Sequence, residues 1–143
     1  FGIPLTHRGQ ATSTLLVTGH QCSQADTQDW ETLANLDATL VFYMGMKRIR
    51  EIVSGLTQNG KSKDTPVAII QNDTLINQAI FTSALGNINA DKITLQSPSI
   101  IIIGEVVNHY TMFQECLDTL PSEMVEPIGD LGFDFWKNQA VSA

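Results

Sequence analysis

The 143-residue chain is expected to fold as an α/β domain built on a mixed sheet of about five strands with flanking helices. Three observations lead there. Leu40 to Met44 is an unbroken run of apolar and aromatic residues with no inward/outward alternation, as in a strand covered on both faces. Val67–Ile70 and Ile100–Ile103 repeat that β-branched, apolar pattern farther along. Between the first two of these runs, Ile49, Ile52, Val53 and Leu56 recur at helical spacing.

Taken in order, residues 1–10 place Gly2, Pro4 and Gly9 around Thr6-His7-Arg8 and read as an irregular lead-in. Ser13 to Thr18 is a strand ending at Gly19-His20. Asp26 or Thr27 is expected to cap a short helix through Asn35, with Trp30, Leu33 and Ala34 on its inner face. Residues 39–44 form the next strand and run into Gly45, which would let another group approach the backbone. A helix over Lys47–Asn59 stops at Gly60. Its basic residues Lys47, Arg48 and Arg50 crowd the first turn, opposed to the helix dipole, which hints that they answer to something outside the helix. Strands follow at 67–71, 79–84 and 99–107, with a short helix or loop over 87–94. Tyr110, Phe113, Cys116, Leu117 and Leu120 fit one face of a last helix. Beyond Pro121 the tail mixes prolines, glycines and acids with Phe133, Phe135 and Trp136, suited to draping on the body or to a partner.

A net charge of −7 with only eight Lys and Arg argues against nonspecific nucleic-acid binding. No apolar run is long enough to span a membrane, and the pattern points to a soluble cytoplasmic protein. Cys22 and Cys116 lack metal-ligand spacing and read as free thiols of a reducing compartment. In sheets of this kind ligands gather at the carboxyl ends of strands, here Tyr43-Met44-Gly45.

Particular words carry the reading further. Gly2-Ile-Pro-Leu-Thr-His-Arg8, Val17-Thr-Gly-His20, Thr39-Leu-Val-Phe-Tyr-Met-Gly45, Pro66-Val-Ala-Ile and Ile103-Gly-Glu-Val-Val107 occur in this order. Together they resemble the C-terminal half of the uroporphyrinogen-III C-methyltransferases, within the tetrapyrrole methylase family. The resemblance covers residues 1–107, which it implies are the C-terminal domain; residues 108–143 would be a helix and an extension beyond the match. It implies S-adenosyl-L-methionine as cofactor, S-adenosyl-L-homocysteine as product, and uroporphyrinogen III as substrate. It also implies an N-terminal domain of the same protein as partner and a homodimer, with no nucleic acid and no membrane involved.

On that resemblance Met44 contacts the cofactor through its backbone, beside Tyr43. Asn72 and Asp73 form the second cofactor loop, where the family carries a small residue at the position of Asp73. His7, Arg8 and His20 fall to the substrate side, where Arg suits the acceptor's carboxylates. Glu105, after Gly104, reads as structural. The family's glycine-rich cofactor loop and its acid/base residues have no counterpart in this sequence, so no catalytic residue is assigned. The chain is therefore expected to be inactive alone. Two other readings remain open: a degenerate module of the same fold, and a sister methylase with another acceptor.

Overall fold

The computed structural model describes residues 1–19 and 28–119. The expected tail contacts of Phe133, Phe135 and Trp136, and the residues His20, Cys22, Asp26 and Thr27, lie outside the described residues. Five strands make one mixed sheet: β1 (Thr14–Thr18), β2 (Thr39–Tyr43), β3 (Pro66–Gln71), β4 (Ala79–Ala84) and β5 (Ser99–Ile103). Their spatial order is β1-β2-β5-β3-β4. Only β1 and β2 pair in parallel; β5 inserts between β2 and β3 and runs antiparallel to both. The last strand, β4, pairs antiparallel with β3.

The apolar run Ile100–Ile103 explains why β5 takes the centre. Its neighbours in register are Tyr43 to Leu40 on one side and Ile70 to Val67 on the other. A strand flanked on both edges and covered on both faces favours apolar side chains. Alternate residues then feed two cores. Ile101 and Ile103 join Leu40, Phe42, Val67 and Ile69 under the helices. Ile102 joins Val41, Ala68 and Ile70 on the opposite face.

Two helices close the first face, α1 (Trp30–Asn35) and α2 (Ile49–Gln58). Asp29 caps α1: its carboxylate accepts from the Thr32 amide at 3.0 Å. Leu33 and Ala34 are buried as the pattern requires. Gly55 lets α2 press against the Trp30 ring, since a Cβ there would sit 2.3 Å from the indole. On α2, Ile49, Ile52 and Leu56 point inward. The helix is preceded by a 3-10 turn over Met46–Arg48, so the basic cluster straddles two geometries.

The opposite face is covered by α3 (Asn108–Thr119) and the lead-in segment, with Phe1 edge-on to Tyr110. Two expectations need correction here. The strand expected over 99–107 stops at Ile103, because Gly104 turns the chain at φ 150° into a 3-10 turn over Glu105–Val107. Over residues 87–94 the loop alternative holds: a 3-10 turn covers Leu85–Asn87 and the chain continues irregularly. On α3 Tyr110 is buried, but Cys116 is exposed and Phe113 only half covered, against the Gly2 backbone.

Leu56 is fully buried, whereas Leu16 on the edge strand β1 is 60% exposed. Leu56→Ala should therefore lower unfolding free energy by about 2–5 kcal/mol, and Leu16→Ala by well under 1 kcal/mol. Urea titration of the two variants checks the difference.

Candidate cofactor cavity

One end of the sheet is built for close backbone contact. Gly19, just past β1, donates its amide to the Tyr43 carbonyl at 2.6 Å. A Cβ on Gly19 would lie 2.4 Å from the Cα of Gly45, so no side chain fits there. The group that approaches Gly45 is thus the neighbouring strand end. Arg48 locks this junction: its guanidinium donates to the Gly19 carbonyl at 3.1 Å and forms a fork with the Glu51 carboxylate, one arm at 2.7 Å. That hydrogen bond holds the Glu51 carboxyl below the ordinary glutamate pKa, with partial desolvation opposing and the guanidinium charge assisting.

Between Gly19 and Arg48 the chain must reverse from strand to helix, and Met44 absorbs the turn at φ 55°. A left-handed non-glycine residue is a strained position of the sort that clusters at binding sites. Met44 is 63% exposed and Tyr43 is 44% exposed, both at the carboxyl end of β2.

At the same end of the sheet β3 leaves through a turn. Asn72 and Thr74 adopt positive φ of 51° and 70°. The Asn72 amide donates to the Pro98 carbonyl, and the Thr74 amide donates to Oε1 of buried Gln78 at 3.0 Å. Among the described residues, no hydrogen bond engages the main chain of Met44 or of Asp73. These two turns and the start of β5 enclose a cavity of about 690 Å³. Tyr43, Met44, Asn72 and Asp73 all line it. Ile70, Leu75, Pro98 and Ile100 supply apolar walls, and Ser97, Ser99 and Lys47 complete the rim. The volume falls in the range of about 300–1,000 Å³ typical of small-molecule sites. Apolar walls with free main-chain groups at two turns suit a flat heteroaromatic ring on a polar tail, so the cavity fits a nucleoside cofactor.

The residues expected on the substrate side are placed elsewhere. His7 pairs with Ala11 through the backbone in a turn that holds Arg8, and the Ser13 carbonyl then meets the Thr39 amide at the start of β2. That is the end of the sheet opposite Met44, about 16 Å away along a five-residue strand. His7 stacks on His109 with ring centres 4.2 Å apart, and His109 Nε2 contacts Oε1 of Gln10 at 2.9 Å. Arg8 is exposed. The cavity therefore unites the four cofactor candidates and leaves out His7 and Arg8. Of the basic cluster, Arg48 serves the strand junction and Arg50 pairs with Asp91. These two answer to partners within the chain, and only Lys47 reaches the cavity. Glu105 is exposed and accepts from Asn108 Nδ2 at 3.2 Å, a local contact.

The start of β5 was not anticipated as a cavity wall. Pro98 ahead of an apolar run marks a strand start, but nothing local announces that β5 lies between β2 and β3.

A five-stranded mixed α/β domain with its cavity at the ends of β2 and β3 defines the class of protein. Residues 1–89 match the family of tetrapyrrole (corrin/porphyrin) methylases, and the chain belongs to that family. It is 44% identical over 107 residues to a sirohaem synthase of Photobacterium profundum, and 45% identical over 106 residues to one of Neisseria meningitidis. These alignments span 75% and 74% of this chain but only 23% and 22% of those proteins. The uroporphyrin-III C-methyltransferase of Thermus thermophilus superposes with a TM-score of 0.66 at 28% identity, covering 75% of this chain and 48% of that one. The same enzyme complexed with S-adenyl homocysteine matches equally well. A cobalt precorrin-4 methyltransferase shares the fold at 15% identity, with a TM-score of 0.65 and coverage of 73% and 45%.

Arg48→Met should free the Gly19 carbonyl and cost about 1 kcal/mol of stability, read by thermal unfolding. Because Glu51 titrates below its unfolded value, its contribution is present above the ordinary glutamate pKa. It is lost as pH falls through the lower, folded value. Glu51→Gln should therefore flatten the acid limb of the stability–pH curve, by a small amount because the pair is partly exposed.

Proposed function

We propose that this chain is the C-terminal domain of an S-adenosylmethionine-dependent C-methyltransferase that converts uroporphyrinogen III to precorrin-2, on the route to sirohaem and cobalamin. Residues 1–107 form the domain proper, and residues 108–143 add a helix and an extension. The observation that carries the reading is the cavity where Met44, Tyr43, Asn72 and Asp73 converge. Relatives with sirohaem synthase and uroporphyrin-III C-methyltransferase activities support it.

S-adenosylmethionine supplies, when bound, a methyl group already activated by the sulfonium. The chain's own task is then binding and alignment for in-line displacement. The main chain of Met44 and Asp73 offers hydrogen bonds to the heterocycle, and Ile70, Pro98 and Ile100 exclude water from it. Tyr43 and Asn72 border the same space. His7, Arg8 and His20 are assigned to the acceptor's carboxylates. That assignment stands on the family resemblance, since His7 and Arg8 lie at the far end of the sheet. The residues that exchange protons with the macrocycle belong to an N-terminal domain of the same protein, which functions as a homodimer in the cytoplasm.

A second reading has one observation in its favour. Asp73 puts a carboxylate on the cavity wall where the family carries a small residue. A degenerate module kept for assembly would tolerate that charge.

Methyl transfer from labelled S-adenosylmethionine to uroporphyrinogen III should be seen with the full-length parent and not with this chain alone. Turnover by the isolated chain would contradict the domain assignment. Met44→Ala should change S-adenosylhomocysteine affinity by no more than about threefold, because the contact is through the backbone. If the parent is silent and Asp73→Gly restores binding, the second reading holds.

A further inference from the structure

The cavity has one cationic wall residue, and the proposed cofactor role does not use it. Among the described residues, Lys47 is the only basic side chain lining it, as Asp73 is the only acidic one. Lys47 also lines an adjoining groove of about 480 Å³ beside Ala90, Ile93 and Leu95, and Ser97 borders both spaces. Lys47 therefore stands at the junction of two recesses.

An exposed lysine at a helix start ordinarily needs only water. Here its setting is unfavourable without an anion. It sits in the first turn of the Met46–Gln58 helical segment, at the positive end of the dipole, within three positions of Arg48 and Arg50. Those two cations are neutralised by Glu51 and Asp91. Among the described residues, Lys47 has no such partner. The geometry points to Lys47 as the cation that receives a carboxylate of the bound ligand at the junction of cavity and groove, and so as a specificity residue of the site. This rests on the cofactor reading above. The carboxylate has two chemical sources: the amino-acid end of the cofactor, or a rim substituent of the macrocycle. Both are acceptors for an ammonium donor, and both bonds weaken with salt.

Calorimetric titration of the full-length parent distinguishes them with three probes. S-adenosylhomocysteine carries the amino-acid carboxylate. 5′-Methylthioadenosine has the same nucleoside without it, and uroporphyrin III is a stable macrocycle with rim carboxylates. Lys47→Met should leave methylthioadenosine unchanged and weaken one carboxylate ligand about three- to tenfold. Lys47→Arg should retain most of that affinity. Loss confined to S-adenosylhomocysteine assigns the cofactor's carboxylate; loss confined to uroporphyrin assigns the macrocycle's. Unchanged affinity for both carboxylate ligands, with methylthioadenosine still bound, overturns the Lys47 assignment alone. A full-length wild-type parent that binds neither nucleoside ligand overturns the cofactor reading and this assignment with it.

Discussion

Nothing larger than hydrogen fits between Gly19 and Gly45, and the rest of the site depends on that contact. With the two strand ends in contact, the Gly19 amide takes the Tyr43 carbonyl and Arg48 can reach the Gly19 carbonyl. The chain then has a single residue, Met44, in which to leave the sheet, and it does so in the left-handed region. A strained residue of this kind persists only when its surroundings over-determine it. Here the surroundings are the pinned strand ends on one side and buried Ile49 and Ile52 on the other. The strain is stored where the main chain meets the cavity.

The second constraint is the placement of β5. An apolar strand between β2 and β3 brings the carboxyl ends of those two strands to the same edge while keeping them one strand apart. That gap, roofed by Ser97 and Pro98, is the cavity. Antiparallel insertion also sends the chain on from Ile103 to the opposite end, where Gly104 turns it into α3. The sheet thus has two distinct ends. One holds the Met44 and Asp73 turns; the other holds His7, stacked on His109.

Much of the fold was legible because its signals are local. The apolar run at Leu40–Phe42 and the helical period at Ile49–Leu56 report burial directly, and both elements lie where those patterns place them. Failures came where one residue overrides a run. Gly104 ends a strand whose β-branched pattern continues to Val107, and its φ cannot be read from its neighbours. Cys116 fitted an apolar stripe, yet it is exposed on α3. The site was legible in part. Met44 and Asp73 were linked by resemblance to known sequences, since 29 positions separate them and no periodicity connects their turns. His7 and Arg8 looked like companions of that site, but strand direction sends them to the other end of the sheet, and direction is a property of topology. The fates of Arg48 and Arg50 were equally hidden, because Gly19 and Asp91 are distant in sequence.

The chain spans less than a quarter of the sirohaem synthases it matches. The central claim is that the end of the sheet bearing Met44 and Asp73 receives the nucleoside cofactor. Amide chemical-shift mapping of this chain during titration with S-adenosylhomocysteine tests it most directly. The account predicts shifts concentrated at residues 43–47, 72–75 and 97–100, with the His7–Ala11 turn and His109 unmoved. Shifts centred on His7–Ala11 and His109, with the Met44 and Asp73 amides silent, would contradict it.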